Sequence, residues 1–246
     1  MKILVPISKV PDTTSKIAFT DGDSKFNEEG IQWIVNPYDE WYALVRALEL
    51  VEAGGGSVTV INVGDASSDP VIRKALALGA NEAVRVDVNP ADSYVIAKEI
   101  AAYAADKGFD MVLLGKETIN YNGSEVGGML AEFMNLPYIS LASKLEVSGD
   151  TATLDRSIEG GTEVVEVKLP FVASASKGMA EQRIPNMRGI MAARTKPLTV
   201  VAASGAEAKT AYVKYGLPAP KSAVKLVDPE NMDELVRLLH EEAKSI

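Results

Sequence analysis

The sequence has no cysteine and only one histidine, His240. Without cysteine, disulfides, thiolate metal ligands and thiol nucleophiles are excluded. His240 falls among glutamates in an apparent terminal helix, DELVRLLHEEAK, and we interpret it as a helix residue rather than as the base of a Ser-His-Asp triad. Acid–base or covalent catalysis therefore has few groups to use in this chain.

Long apolar runs and a basic net charge are also lacking. No run approaches the roughly 18 residues that a membrane-spanning helix needs, so we expect no membrane span. The first residues, MKILVPISKV, are typical of a strand rather than of a signal peptide, and we predict a cytoplasmic, prokaryotic protein. The formal net charge of −9 argues against a duplex nucleic acid partner.

Strands and helices alternate regularly over residues 1–140. The apolar strand segments are KILVPI, VTVINVG, AVRVDV and MVLLG, and helical segments stand between them. Pro37 suits the first turn of the first helix, and Asn89-Pro90 suits the start of a later helix that runs to Ala105. The alternation predicts an α/β fold with a doubly wound, mainly parallel sheet, in which ligands bind beyond the carboxyl ends of the strands.

Residues 111–133 have the sequence of a phosphate-binding connection. An apolar strand leads through a polar loop into a helix, and the loop contains Gly115, Lys116, Asn120, Asn122, Gly123 and Ser124. Unpaired N–H groups at a helix start attract anions, and we expect Asn122 and Ser124 to cap the helix. The loop matches neither the Walker A motif nor the Gly-x-Gly-x-x-Gly fingerprint. An ordinary strand-to-helix connection is the alternative.

Three strand ends are expected to meet if their strands are neighbours. They are Pro6-Ile7-Ser8, Gly64-Asp65 and the loop from Gly115 onward, with Asn36-Pro37-Tyr38 beside them. Together they predict one crevice, for which a nucleotide is the natural occupant. Asp65 has an equal alternative role, as a carboxylate that caps a helix.

The pattern changes near residue 143. Residues 143–175 alternate in polarity and contain the turns Ser148-Gly149-Asp150 and Glu159-Gly160-Gly161, which predicts antiparallel strands. Residues 203–227 are small, polar and poorly periodic, so we expect them to wrap over a partner or over the domain surface. A terminal helix is predicted to start at Asp228-Pro229-Glu230.

The run RSIEGGTEVVEVKLPFVASASKGMAEQRIPNMRGIMAARTKPL resembles the signature region of the electron-transfer flavoprotein β subunit. Its turn is Glu159-Gly160-Gly161, its strand end is Lys168-Leu169-Pro170 and its loop is 179–183. The segments KILVPISKVPDTTSKI, NPYDE and LLGKETINYNGSEVGG match the same family in the same order. The resemblance covers roughly residues 1–200.

The resemblance implies an adenine-nucleotide-binding α/β domain over 1–200, with a hairpin region at 143–175 and a partner-recognition loop at 176–189. It implies an electron carrier rather than an enzyme. Such a β subunit pairs with an α subunit that holds most of the FAD, and the arm 201–246 packs on that subunit. The β subunit carries a structural AMP, or a second FAD in electron-bifurcating members. Electrons arrive from flavin dehydrogenases such as acyl-CoA dehydrogenase and leave toward a quinone oxidoreductase or another acceptor.

Site residues follow from the resemblance by position. The nucleotide pocket would contain Pro6, Asn36, Pro37, Tyr38, Asp39, Asp65, Gly115, Lys116, Asn120, Asn122, Gly123, Ser124, Glu125 and Val126. Tyr38 would also lie toward the flavin at the α–β interface. The dehydrogenase would contact Met179, Ala180, Glu181 and Arg183, with Met179 as the apolar anchor in place of the family's leucine. A core role is the alternative for Met179.

The chain departs from the family at the phosphate end. Ser124-Glu125-Val126 stands where AMP-binding members commonly have Asn-Gln-Thr, so Val126 offers no hydroxyl and Glu125 would repel a phosphate. Backbone N–H groups of residues 123–126 would then hold the phosphate. The loop typical of bifurcating members is missing, which favours a non-bifurcating, AMP-type protein. The remaining alternatives are a bifurcating variant and a stand-alone nucleotide-binding regulator of the universal-stress type.

Overall fold

The computed structural model of the protein describes residues 1–221 and 223–246. The strands of this part of the chain are β1 (Lys2–Pro6), β2 (Lys9–Pro11), β3 (Phe19–Thr20), β4 (Lys25–Phe26), β5 (Trp33–Val35), β6 (Ser57–Val63), β7 (Glu82–Asp87), β8 (Met111–Gly115), β9 (Tyr138–Ser148), β10 (Thr151–Ile158), β11 (Gly161–Lys168), β12 (Phe171–Ala175) and β13 (Leu198–Ala202). The helices are α1 (Asp39–Gly54), α2 (Asp69–Leu78), α3 (Ser93–Ala104), α4 (Val126–Met134), α5 (Met187–Ala193) and α6 (Met232–Arg237). A 3₁₀ turn covers Ala66–Ser68 and a π-helical turn covers Leu238–Glu242.

Nine strands form one sheet in the order β11-β10-β9-β12-β8-β1-β6-β7-β13. The pairings from β12 to β13 are all parallel. β1 lies between β6 and β8, so the expectation that the strands bearing the three predicted loops are neighbours is confirmed. Because the chain proceeds to both sides of β1, a crevice opens there at the carboxyl ends of the strands.

The core lies on both faces of this sheet. Ile3 and Val5 of β1 are buried in one cluster with residues of α1 and α2, whereas Leu4 is buried in the other cluster with residues of α3 and α4. Successive residues of a strand point to opposite faces, so one apolar run supplies both layers. The predicted doubly wound α/β fold is therefore confirmed.

The first helix begins later than its sequence predicts. Tyr38 has a φ of +64°, so the helical conformation starts only at Asp39. Pro37 therefore lies outside the first turn of α1, and its expected place there is wrong. Pro37 instead lies in the connection that precedes the helix, where its fixed φ restricts the backbone.

Two later helices also begin after their predicted starts. α3 begins at Ser93 rather than at Asn89-Pro90, because the carboxylate of Asp92 accepts from Val95 N at 2.9 Å and caps it. α6 begins at Met232 rather than at Asp228-Pro229-Glu230, and Asn231 is its cap. In both cases a polar side chain downstream of the proline provides the stronger start signal.

The predicted antiparallel region is only partly correct. β9, β10 and β11 form an antiparallel meander from Tyr138 to Lys168. β12, however, pairs in parallel with both β8 and β9, and its five residues are all buried. Residues 171–175 thus belong to the central sheet. A strand buried on both faces lacks the alternation of polarity that is typical of an antiparallel strand with one exposed face.

Residues 203–231 have no regular helix or strand where the structure describes them, and Ser222 of the predicted arm lies outside the described residues. The arm contacts the α/β body, since Tyr215 N donates to Asp23 O at 2.8 Å. Its expected contact with an α subunit stays a prediction. In the described part of the chain, none of the helices has the length and apolar character that crossing a membrane requires.

Candidate functional site

A cleft of about 310 Å³ lies beyond the carboxyl ends of β1, β6 and β8. The predicted nucleotide-site residues that line it are Pro6, Asp65, Gly115, Lys116, Asn120, Gly123, Ser124, Glu125 and Val126. Those that stand outside its lining are Asn36, Pro37, Tyr38, Asp39 and Asn122. The fold thus brings the three predicted strand ends into one place, with the 36–39 segment behind them.

Asn36 supports the cleft without lining it. Its side chain is fully buried and bridges to the loop after β8: Nδ2 donates to Glu117 O at 3.0 Å, and Ile119 N donates to Oδ1 at 2.9 Å. Its own N–H donates to Ser8 O at 3.0 Å. Asn36 therefore connects the residues after β1 with the predicted phosphate loop through hydrogen bonds to both.

Tyr38 and Asp39 stand at the start of α1, away from the cleft lining. The Tyr38 side chain is exposed by 59%, and its left-handed backbone is rare for a residue of this size. Burial raises the pKa of the Asp39 carboxyl, although the positive charge of Lys116 acts in the opposite direction. The expected place of Tyr38 toward the flavin at an α–β interface stays a prediction.

Glu40 is a buried carboxyl in the cleft wall that the sequence reasoning missed. Ser8 donates to it twice, from N to Oε2 at 2.6 Å and from Oγ to Oε1 at 2.7 Å. Burial raises the pKa of Glu40 to about 8, against the effect of these two hydrogen bonds. A Cβ on Gly115 would lie 2.7 Å from Glu40 Cγ, so only glycine lets β8 approach α1 this closely. No local pattern marks Glu40, because its burial depends on Ser8 and Gly115, which are far from it in the sequence.

The start of α4 forms the other end of the cleft. Its N-cap residue is Glu125, which makes no capping hydrogen bond. Asn122 and Ser124 do not cap the helix as expected; both have positive φ, and Ser124 Oγ donates to Glu117 Oε2 at 3.0 Å. With no side chain occupying them, the N–H groups of the first turn are available to an anion.

Charges of both signs surround this helix start. Lys116 lines the cleft and pairs with Glu117 at 3.2 Å. Glu125 is exposed, and its carboxylate lies over Gly123, where an added Cβ would be 3.7 Å from Glu125 Cδ and Oε2. A phosphate at the helix start would therefore meet backbone donors and one lysine, with the Glu125 charge nearby opposing it.

Asp65 has the capping role that was its alternative. Its Oδ1 accepts from Ser67 N at 2.9 Å and from the Ser67 hydroxyl, which caps the 3₁₀ turn 66–68. These hydrogen bonds from Ser67 hold the pKa of Asp65 below its usual value. Asp65 also lines the cleft, so both uses are compatible.

An aromatic stack joins the C-terminal arm to the cleft loop. Tyr121, which lines the cleft, stacks on Tyr212 with 4.8 Å between ring centroids, and Tyr212 stacks on Tyr215 at 5.8 Å. Tyr215 in turn stacks on Phe19 at 5.0 Å. Burial raises the pKa of the Tyr121 hydroxyl. The stack fixes one stretch of arm beside the cleft rim.

The predicted recognition loop presents different side chains from those expected. Met179, the predicted anchor, is only 4% exposed and belongs to the core cluster that packs on α1 and α2. Arg183 is held by Glu52 through two hydrogen bonds of 2.7 and 2.9 Å. Ala180 is half-buried and Glu181 is exposed. The core role that was the alternative for Met179 is what the structure shows.

The exposed apolar groups of this region come a few residues later. Ile184 is 82% exposed and Met187 is 73% exposed, and Ile190 and Met191 of α5 are also exposed. Such a cluster of apolar side chains at the surface is typical of a protein contact.

Comparison with known proteins agrees with the motifs described above. A family model described as "Electron transfer flavoprotein domain" matches residues 23–206. The β subunit of the electron transfer flavoprotein of Bacillus subtilis is 35% identical over 260 residues, covering 100% of both chains. That of Syntrophomonas wolfei is 36% identical over 93% of this chain and 90% of its own, and that of Sus scrofa is 29% identical over 98% and 97%. The chain therefore belongs to the electron transfer flavoprotein family, as a homologue of its β subunits.

Proposed function

We propose that the protein is the β subunit of a heterodimeric electron-transfer flavoprotein whose FAD is held mainly by an α subunit. Electron transfer flavoprotein β subunits are electron-carrier subunits rather than enzymes, which fits a chain with one histidine and no cysteine. The flavin supplies the redox chemistry, while this chain binds, orients and docks. Flavin dehydrogenases such as acyl-CoA dehydrogenase would donate the electrons, and a quinone oxidoreductase or another acceptor would receive them.

The cleft is proposed to hold a structural AMP. The observation that carries this proposal is the uncapped start of α4 facing a cleft at the carboxyl ends of parallel strands. Residues 123–126 would bind the phosphate through backbone N–H groups, with Lys116 nearby. Glycine at position 115 lets the end of β8 lie against α1 in the cleft wall, since any Cβ there would collide with Glu40.

AMP suits the cleft better than a second FAD. Its volume of about 310 Å³ lies at the lower end of the range typical of small-molecule sites, about 300–1,000 Å³. The loop typical of bifurcating members is also missing, with Asn120-Tyr121-Asn122-Gly123-Ser124 in its place. The stack of Tyr212 on Tyr121 also places arm residues at the rim. We therefore propose the non-bifurcating type.

The docking surface for the dehydrogenase is proposed to lie on residues 179–191. Met179 would support this segment from the core, because its side chain is buried there. Ile184 and Met187 would make the apolar contact, since both are exposed and follow Arg183, which is paired with Glu52. Apolar groups surrounded by a polar, solvent-accessible rim are the usual arrangement of a protein interface.

Co-expression with a cognate α subunit tests the heterodimer. The expected product is a yellow complex of the two chains, in which flavin absorbance co-purifies with both. A homodimer that binds adenine nucleotide and never acquires flavin would support the universal-stress alternative instead. The cytoplasmic location remains a prediction from the sequence.

A further inference from the structure

Asn62 is the last residue but one of β6 and lines the cleft; β1 separates its strand from β8, the strand that precedes α4. Its side chain is 4% exposed, and Nδ2 donates to Ile7 O at 2.9 Å. Its other terminal atom, Oδ1, is shielded from solvent and has no hydrogen-bond partner. Among the described residues only one other buried side-chain atom, Arg156 Nε, shares this condition, and it lies outside the cleft lining.

The orientation of the Asn62 amide is set by its neighbour. A backbone carbonyl can only accept, so the atom facing Ile7 O must be the NH₂ group, and Oδ1 must face the other way. A buried oxygen without a donor is costly, and such atoms in native proteins generally have a reason. In a cleft wall, the missing donor is one that a ligand can supply.

Gly64 lies against Asn62 Oδ1 without covering it with a side chain. A Cβ on Gly64 would lie 2.8 Å from Asn62 Oδ1 and 2.6 Å from Ser68 Oγ, so any other residue there would collide with both oxygens. Ser68 is itself 4% exposed and lines the cleft. Oxygen-bearing side chains of Asn62 and Ser68 thus flank the bare backbone of Gly64 at the end of β6, and the apolar side chains of Pro6 and Val63 also line the cleft.

This arrangement suits the base of a nucleotide whose phosphate lies at the start of α4. Apolar walls accept the faces of a purine ring, and a few fixed polar groups then select among bases by their edges. Oδ1 can only accept, so it favours an edge that carries an N–H group and disfavours one that presents an oxygen.

We propose that Asn62 Oδ1 accepts a hydrogen bond from the exocyclic amino group of the bound base and so selects a 6-aminopurine over a 6-oxopurine. This inference rests on the proposed nucleotide function of the cleft and makes Asn62 its specificity-determining residue. Ile7 O holds the amide in place, and Gly64 leaves room for the base to approach.

A competition between AMP and IMP, which differ at position 6 of the purine, tests the proposal. The α–β complex is denatured, freed of nucleotide and reassembled in an equal mixture of the two, and the bound nucleotides are released and quantified. Asn62→Ala removes the acceptor, whereas Asn62→Asp retains one. Both variants lose the amide NH₂ that bonds Ile7 O, and Asn62→Asp also sets a carboxylate oxygen against that carbonyl, so a purely structural effect would be at least as large in Asn62→Asp as in Asn62→Ala. Asn81→Ala is the control for strand damage, because Asn81 Oδ1 accepts from Val58 N at the other end of β6.

The wild type is expected to take up AMP in preference to IMP. Asn62→Ala should lower the AMP:IMP ratio about tenfold, the effect of one hydrogen bond, while Asn62→Asp and Asn81→Ala keep it. An unchanged ratio in Asn62→Ala, or an equal loss in Asn62→Asp, would overturn the inference and leave the nucleotide site itself intact. Failure of the wild type to bind either nucleotide would overturn both this inference and the proposed AMP.

Discussion

Ser8 donates two hydrogen bonds to the buried carboxyl of Glu40, at 2.6 Å from its N–H and 2.7 Å from its hydroxyl. The pair joins the exit of β1 to the first turn of α1, at the wall of the cleft. Gly115 of β8 makes the approach possible, because a Cβ there would lie 2.7 Å from Glu40 N. Glu40 and Gly115 thus bring together the exit of β1, the first turn of α1 and the end of β8.

The raised pKa of Glu40 predicts a pH-dependent stability. Burial raises that pKa from 4.5 to about 8, so the folded state retains a proton that the unfolded state loses between these values. The stabilisation is complete below pH 4.5 and is lost as the pH rises toward 8. The free energy of unfolding should fall over this window, by at most about 1.4 kcal/mol per pH unit. Urea unfolding at several pH values measures it.

Glu40→Gln is the matched variant for this pH dependence. Glutamine cannot ionise, so the unfolding free energy of the variant should change less with pH than that of the wild type between pH 5 and pH 8. All other titrating groups are common to both proteins. Identical pH profiles would show that Glu40 is ionised in the folded protein throughout.

Two adjacent glycines of α4 predict opposite effects of the same substitution. An added Cβ on Gly127 would lie 2.5 Å from Tyr138 Oη and 2.9 Å from the ring, whereas one on Gly128 would be no closer than 3.8 Å to that ring. Gly127→Ala should destabilise by about 1–3 kcal/mol through overpacking. Gly128→Ala should be neutral or stabilise by up to about 1 kcal/mol, because alanine favours the helix. Thermal unfolding compares them, and equal effects would contradict the close packing of α4 on β9.

Local signals in the sequence predict part of this structure, and the rest depends on contacts between distant residues. The apolar strands and the periodic helices are local signals, so the parallel sheet and the meeting of Pro6, Asp65 and Gly115 followed from the pattern. The starts of α1 and α3 depend on Tyr38 adopting positive φ and on Asp92 acting as a cap, and competing prolines obscured both. Glu40 and Asn62 are different again, because their burial depends on contacts between strands and loops far apart in the chain.

The predicted recognition loop, residues 176–189, shows the same limit of prediction from sequence. A resemblance locates the segment, but it does not tell which side chain points outward. Met179 is buried because residues 176–179 turn back onto the sheet, where Gly178 adopts a φ of +106° and packs against Ser143. Ile184 is exposed instead of Met179, and no local pattern distinguishes Ile184 from a core residue.

Met179 and Ile184 predict separable effects on stability and docking. Met179→Ala should lower the free energy of unfolding by about 2–5 kcal/mol, because it empties a core position. Ile184→Ser should leave stability unchanged and slow the reduction of the flavin by a cognate dehydrogenase. Stopped-flow reduction and thermal unfolding of both variants measure the two effects. If Ile184→Ser transfers electrons at the wild-type rate, the proposed docking surface is wrong.

The Glu125 carboxylate predicts a repulsive effect on a bound phosphate. Glu125→Gln should slow the loss of AMP severalfold at low salt, and the gain should shrink as salt screens the charge. Glu132→Gln is the control, since Glu132 is an exposed acid near the opposite end of α4. The measurement is the rate of AMP release from each variant and from the wild type, at low and at higher salt. Equal retention in both would mean that Glu125 points away from the phosphate.

We expect acid to loosen the C-terminal arm, because the Asp92 carboxylate accepts hydrogen bonds from Lys209 and Thr210 of the arm. Burial disfavours ionisation of its carboxyl, but hydrogen bonds from Val95, Thr210 and Lys209 outweigh burial and lower its pKa below 3.8. The lowered pKa stabilises the fold above pH 3.8, and the stabilisation is lost as the pH falls through the folded value. Asp92→Asn should make residues 205–221 more sensitive to protease already at neutral pH. Wild-type resistance in the variant would show that the aromatic stack and the other hydrogen bonds, such as Tyr215 N to Asp23 O, hold the arm without the Asp92 carboxylate.

The most direct measurement is a count of the ligands in the purified α–β complex. Denaturation releases them, and chromatography quantifies FAD and AMP against the protein. A non-bifurcating electron-transfer flavoprotein with a structural nucleotide in the cleft predicts one FAD and one AMP per heterodimer. Two FAD and no AMP, or a complex with no adenine nucleotide beyond the single flavin, would contradict the assignment of the cleft.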